Sequence, residues 1–186
     1  MATVLPIDEL NQLQGAMESL LSDSELTPEV KKKMISDDLE DYYILFYMMG
    51  VERTESNFNK DYAVDEDKMF DAVYIKYDGA NFRDRVSVYV DENDPAGLQR
   101  LAETGMTRLF NTGSWDAAES FGGGMKRWMT MEDERVRPTH WLLQGVKIPM
   151  NEKYYTSDGD SARFPGDFSD PANNVNCRCE IVITPN

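Results

Sequence analysis

The chain holds one histidine and two cysteines, His140, Cys177 and Cys179, and these are the residues best suited to chemistry. Imidazole and thiolate together suit Zn²⁺, and residues i and i+2 of a strand point to the same face. Against a metal centre, structural zinc pairs are usually separated by two or more residues. These three are also the only side chains of the preferred nitrogen and sulfur types, with Asp133 as the carboxylate that could join them. The same histidine beside Asp133 or Asp167 has the composition of an acid/base or hydrolytic centre, in which Arg135 and Arg137 would clamp an anionic substrate bidentately. That composition is common and points to catalysis only when geometry supports it. The third reading involves no chemistry and is preferred. Arg135 and Arg137 pair with Asp133 or Asp167, His140 satisfies backbone carbonyls of a long loop, and both cysteines pack as small apolar side chains.

Elements that would position these residues are legible from caps and periodicity. Ile7, Leu10, Leu13, Met17 and Leu20 form the apolar stripe of a short helix. Thr27-Pro28-Glu29 is a start signal, and the helix it opens is expected to stop at Gly50. Its end, from Tyr42 to Met49, is almost wholly apolar or aromatic. Core burial is the ordinary reading of such a run, but Tyr42, Tyr43, Phe46 and Tyr47 could instead anchor in a partner's groove. Met69, Phe70, Val73, Tyr74 and Tyr77 predict another helical stripe, broken by Asp78-Gly79. Asn81 caps a helix over 81–90, and Asp94-Pro95 opens one through Phe110 that Gly113 interrupts and Gly122-Gly123-Gly124 ends. Beyond the glycines, residues 126–130, 146–149 and 177–184 read as strands around a long polar loop. The expected fold class is α+β: a helical N-terminal half, then a small mixed domain with a short antiparallel sheet and long loops.

Composition narrows the function classes. With 34 acidic against 19 basic residues the formal net charge is −15. Residues 1–100 carry −12 of it and the remainder −3. Binding to nucleic acid rests on clustered Lys and Arg that displace counterions, so direct nucleic-acid binding is not the expected main role. No apolar run reaches membrane-helix length, and the first residues lack the pattern of a signal peptide, so no membrane partner is expected. Two cysteines make no disulfide framework, which fits synthesis in a reducing cytosol.

Five elements occur in a telling order: Lys126-Arg127-Trp128-Met129-Thr130; Asp133-x-Arg135-Val136-Arg137-Pro138-x-His140; Gly145; Pro165-Gly166-Asp167; and Asn176-Cys177-Arg178-Cys179. Over about residues 97–184 the chain resembles the phage Mu F-like head morphogenesis domain. The resemblance places Trp128, Asp133, Arg135, Arg137, His140, Pro165, Gly166, Asp167, Asn176, Cys177, Arg178 and Cys179 on the shared motif without assigning them roles. It implies a minor structural protein of a tailed-bacteriophage head, made in the bacterial host's cytoplasm and incorporated into the virion. The expected partners are the portal and/or the major capsid protein, during head morphogenesis or DNA packaging and ejection. The chain would then divide into an acidic helical region, 1–96, and a motif-bearing domain, 97–186. The competing reading is a metal-dependent or histidine-assisted hydrolase, a nuclease or cell-wall enzyme, carried in the virion. The non-enzymatic reading is preferred, with no cofactor expected and Zn²⁺ as the alternative.

Overall fold

The computed structural model describes residues 5–186, and it is α+β. Five helices come first: α1 (Ile7–Ser22), α2 (Pro28–Phe58), α3 (Glu66–Val73), α4 (Phe82–Asp91) and α5 (Pro95–Ser120). Local chemistry starts most of them. Thr27 accepts from the Val30 N–H with Pro28 in the first turn, and Asp94 caps α5 through the Gly97 N–H with Pro95 following. Asn81 and Asp84 form a reciprocal capping box on α4, which satisfies N–H groups that the helix itself cannot. The expected break at Asp78-Gly79 is a tight turn in which Tyr77 and Ala80 exchange both backbone hydrogen bonds. It follows α3, which stops at Val73, short of the stripe expected through Tyr77.

Two glycines expected to stop or interrupt helices do neither. α2 runs through Gly50 to Phe58, and α5 runs through Gly113 to Ser120. The reason lies between the helices. A Cβ added at Gly50 would sit 2.0 Å from the Phe110 carbonyl oxygen, and one at Gly113 would sit 2.1 Å from that of Tyr47. Each glycine receives the backbone of the other helix, so α2 and α5 cross at a distance no other residue permits. The crossing carries a polar clasp, in which Ser114 Oγ donates to the Gly50 carbonyl at 3.0 Å and Thr54 Oγ1 donates to the Ser114 carbonyl at 3.3 Å.

This packing also decides the aromatic run of α2. Tyr43, Phe46 and Tyr47 lie in the helical core with Leu13, Ile35 and Leu109, and only Tyr42 keeps part of its surface. The expected partner-binding face is therefore corrected: Tyr43, Phe46 and Tyr47 are interior residues. Their hydroxyls are used internally as well, Tyr43 donating to the Leu101 carbonyl at 2.9 Å and Tyr47 to Asp116 at 2.8 Å. The large apolar side chains α2 shows to solvent are Val30, Met34, Leu45 and Met48.

The second half is a three-stranded antiparallel sheet, β1 (Met125–Met129), β2 (Lys147–Pro149) and β5 (Glu180–Thr184), in the order β2-β1-β5. Between β1 and β2 lies the short helix α6 (Pro138–Trp141). The long polar span holds a two-residue ladder, β3 (Tyr154–Tyr155) with β4 (Ser161–Ala162), and the single turn α7 (Pro171–Asn174). A second apolar core, with Trp115, Trp128, Tyr154, Phe164 and Phe168 at its centre, lies over this sheet. The division at residues 96 and 97 falls at the start of α5, whose side chains enter both cores: Leu109 and Phe110 the first, Trp115 and Ala118 the second.

Candidate functional site

α5 positions the C-terminal motif from below. Glu103, Thr107, Asn111 and Ser114, spaced by four, four and three residues, form a buried polar stripe on this largely apolar helix. Thr107 Oγ1 donates to the Cys177 carbonyl, and Asn111 Nδ2 donates to the Cys179 carbonyl at 3.1 Å. Asn111 Oδ1 then accepts from the Ile181 N–H at 2.8 Å, and Thr104 Oγ1 accepts from the Asn176 N–H at 3.3 Å. The segment 176–181 is thus bonded to α5 at residues 176, 177, 179 and 181, with Asn176 in the left-handed region at φ 57°. These α5 residues were absent from the sequence-derived candidates, although the i, i+4 spacing of polar residues among apolar ones was the available signal. β5 begins at Glu180, later than the strand expected from Cys177, because the cysteine carbonyls are bonded to α5 side chains.

Both cysteine sulfurs turn toward α6. His140 Nδ1 lies 3.6 Å from Cys177 Sγ and 3.6 Å from Cys179 Sγ, and all three side chains are buried. Aromatic rings enclose the group: Phe168 stacks on the imidazole at 5.3 Å between centroids, and Trp128 meets it edge-on at 5.6 Å. Among the described residues the His140 ring bonds no backbone carbonyl of the loop, in contrast to expectation, and its Nε2 has no hydrogen-bond partner. The two thiols share their proton chemistry. A hydrogen bond from Cys179, and then His140, hold the Cys177 thiol well below its ordinary range, while the same contact and burial push Cys179 up. One sulfur of the pair ionises readily, and the second resists.

The charged residues pair differently from expectation. Asp133 accepts from a single nitrogen of Arg178, Nη2, which lies 2.8 Å from each carboxylate oxygen, and that contact holds its carboxyl below the usual range. Asp167 is paired with Arg163, through Nε at 2.9 Å and Nη2 at 2.8 Å. Arg135 reaches Glu103 of α5 at 3.5 Å, and Arg137 donates to the Val175 carbonyl. Arg135 and Arg137 therefore pair with neither Asp133 nor Asp167. Neither carboxylate hydrogen-bonds His140, so the acid/base pairing considered from sequence does not form. Pro165 and Gly166 are buried in a turn pressed on α5, where a Gly166 side chain would meet the Arg108 Cα at 2.8 Å.

A profile described as Phage Mu protein F like protein matches residues 66–182. The chain belongs to that family. Its match begins ahead of the expected residue 97, so α3 and α4 lie within the phage Mu F-like region together with α5 and the motif. Membership makes this a bacteriophage protein of the head-morphogenesis kind. A relative of the phage Mu F-like chain is the NAD(+)–arginine ADP-ribosyltransferase EFV of Enterococcus faecalis, 27% identical over 113 residues. That similarity covers 57% of this chain and 23% of the transferase. No solved structure matches. No helix among the described residues is long and apolar enough to cross a membrane.

The phage Mu F-like core also buries a cation. Lys126 of β1 is fully buried, its amine donating to the carbonyls of Glu152 at 2.5 Å and Arg163 at 2.7 Å, with the Trp115 and Tyr154 rings 5.0 and 4.9 Å away. It ties the loop carrying β3 and β4 to the sheet. Burial lowers its pKa from 10.5 to about 8. Between those values the unfolded chain holds a proton that the folded chain has lost, so stability rises with pH. Lys126 is therefore expected to contribute a rise of roughly 2 kcal/mol between pH 8 and 10, read as the difference between the urea-midpoint profiles of wild type and Lys126→Met.

Proposed function

We propose that this protein is a non-enzymatic structural and assembly component of the bacteriophage head, present in the virion in few copies at or near the portal. The observation that carries this reading is that the carboxylates and the histidine of the motif are already occupied by other side chains of the chain. Asp133 and Asp167 are each held by an arginine, and His140 faces two thiols under an aromatic cover. A catalytic histidine works with a positioned acid or base, and His140 is paired with two thiols and with no carboxylate among the described residues. The motif instead fixes a long loop onto α5 and the sheet.

Expected partners are the portal and the major capsid protein, assembled in the cytoplasm of the bacterial host. The charge distribution supports protein contacts over nucleic acid, because the strongly negative helical half repels phosphate and Arg135 and Arg178 of the motif are engaged in internal pairs. The similarity to the Enterococcus faecalis transferase covers less than a quarter of that enzyme, and the proposal takes no activity from it. The test is affinity purification of tagged protein from infected cells, together with mass spectrometry of purified virions. Recovery of portal protein in stoichiometric ratio and a few copies per particle are expected. Virions free of the protein at single-copy sensitivity would overturn the assignment.

A further inference from the structure

We propose that His140, Cys177 and Cys179 form a buried Zn²⁺ site, with three protein ligands and a water in the fourth position. Tetrahedral zinc with Zn–S near 2.3 Å and Zn–N near 2.0–2.1 Å requires sulfur-to-nitrogen edges of about 3.6 Å. Both edges measured from His140 Nδ1 are 3.6 Å, and the three donor atoms all lie within 4.8 Å of one another. A single ion can therefore reach all three donors with no more than side-chain adjustment of the two sulfurs. No other His, Cys, Asp or Glu among the described residues joins the group, which leaves the fourth position to solvent.

The surroundings give a second, independent indication. Trp128 is fully buried, its ring meets the His140 imidazole edge-on, and its indole N–H has no hydrogen-bond partner among the described residues. A neutral thiol is a weak acceptor, whereas a metal-bound thiolate accepts a charge-assisted hydrogen bond. Tyr154, also buried without a partner for its hydroxyl, packs on Trp128 at 5.0 Å between centroids. Buried polar groups are normally paired, and the unpaired Trp128 N–H belongs to a ring in direct contact with His140, with Tyr154 packed against the same ring. Donors to coordinating sulfur and to bound water are what the outer shell of a zinc site supplies.

Binding is balanced without a redox step: both thiols lose their protons to buffer, and neutral His140 contributes the Nδ1 lone pair while its proton stays on Nε2. An ion held here is placed to tie separate elements together, with its fourth position left open. It joins α6 to the segment that precedes β5, across 37 and 39 residues of sequence. The Cys-x-Cys spacing, unfavourable for two ligands within a regular strand, is workable because the segment is shaped by Thr107 and Asn111 and not by a ladder.

Protein purified under reducing conditions without chelator, then dialysed against limited Zn²⁺, should carry one zinc per chain by elemental analysis and native mass spectrometry. Co²⁺ substitution should give intense ligand-field bands of a tetrahedral ion and thiolate-to-cobalt charge-transfer absorption. His140→Ala, Cys177→Ser and Cys179→Ser should each lose at least tenfold in zinc affinity. Because such variants can fail to fold, the wild-type chain supplies the deciding measurement. A strong chelator should lower its Tm by about 5 °C or more, and added Zn²⁺ should restore it. Folded wild-type protein with zinc near zero after loading, a Co²⁺ spectrum of the aqueous ion, or a mass lower by two hydrogens from a Cys177–Cys179 disulfide would each overturn the proposal.

Discussion

Gly113→Ala is expected to cost about 3 kcal/mol or more, lowering Tm by roughly 6–12 °C in a chain of this size. The added methyl has nowhere to go, because its carbon would lie 2.1 Å from the Tyr47 carbonyl oxygen and 2.9 Å from the carbonyl carbon. A flexible side chain could swing aside, but the obstacle is the backbone of a 31-residue helix. Relief requires the helices to separate, and separation loosens the packing of Phe46, Tyr47 and Phe110 together with the Ser114–Gly50 hydrogen bond. Alanine's better helix propensity returns only about 1 kcal/mol. Gly50→Ala meets the same obstacle from the other side, with its carbon 2.0 Å from the Phe110 oxygen. The two substitutions act on one crossing, so the double variant should lose less than the sum of the singles. Gly15, on the exposed face of α1 with nothing within 4 Å of an added Cβ, is the control. Gly15→Ala should stabilise by roughly 0.5–1 kcal/mol. Chemical denaturation of the four variants checks the set, and an unchanged midpoint for Gly113→Ala would show that the helices do not cross this closely.

These glycines mark the boundary of what sequence made legible. Thr27-Pro28, Asn81 and Asp94-Pro95 announced three helices correctly, because a cap acts on N–H groups two or three residues away and is written locally. A glycine has two uses, ending a helix or admitting another backbone, and only the second helix reveals which applies. The aromatic run of α2 was ambiguous for a similar reason: what covers Tyr43, Phe46 and Tyr47 is supplied by other helices, α5 and α4 among them. Within the site, the residue types that matter were recognisable, and His140 does meet Cys177 and Cys179. Their charged neighbours were matched wrongly, since Asp133 finds Arg178 across 45 residues and Arg135 finds Glu103 on the preceding helix. Proximity in the chain favours the nearer arginines, and folding brings a farther one with better geometry. The β3–β4 ladder was missed because two residues per strand carry no periodicity. Its placement depends on the carbonyls that flank it, held by Lys126.

Arg53→Met is expected to destabilise the protein by about 3–5 kcal/mol, while Arg53→Met combined with Glu180→Leu should recover most of that loss. Arg53 of α2 reaches the first residue of β5, with Nη1 2.6 Å from Glu180 Oε2 and Nη2 3.2 Å from Oε1. Glu180 is wholly buried and Arg53 nearly so, with Phe110 beneath the guanidinium at 5.7 Å. Moving both charges out of water is expensive, and their attraction offsets that cost only when each is present with its hydrogen bonds in place. Removing the cation alone leaves a carboxylate in the interior without its guanidinium. Replacing both charges with apolar groups removes the desolvation cost along with the attraction, which is why the double variant should approach wild type. The pair also bridges the two cores, since α2 belongs to the helical layer and Glu180 directly follows Cys179. Arg53→Met should therefore disturb the cysteine segment before it disturbs α1. Hydrogen exchange can read that order: amide protection at Ile181, whose N–H is bonded to Asn111, should fall more than protection at Leu13. Equal loss at both positions, or a double variant as unstable as the single, would mean that Arg53 acts through its packing on Phe110 and not through the charge on Glu180.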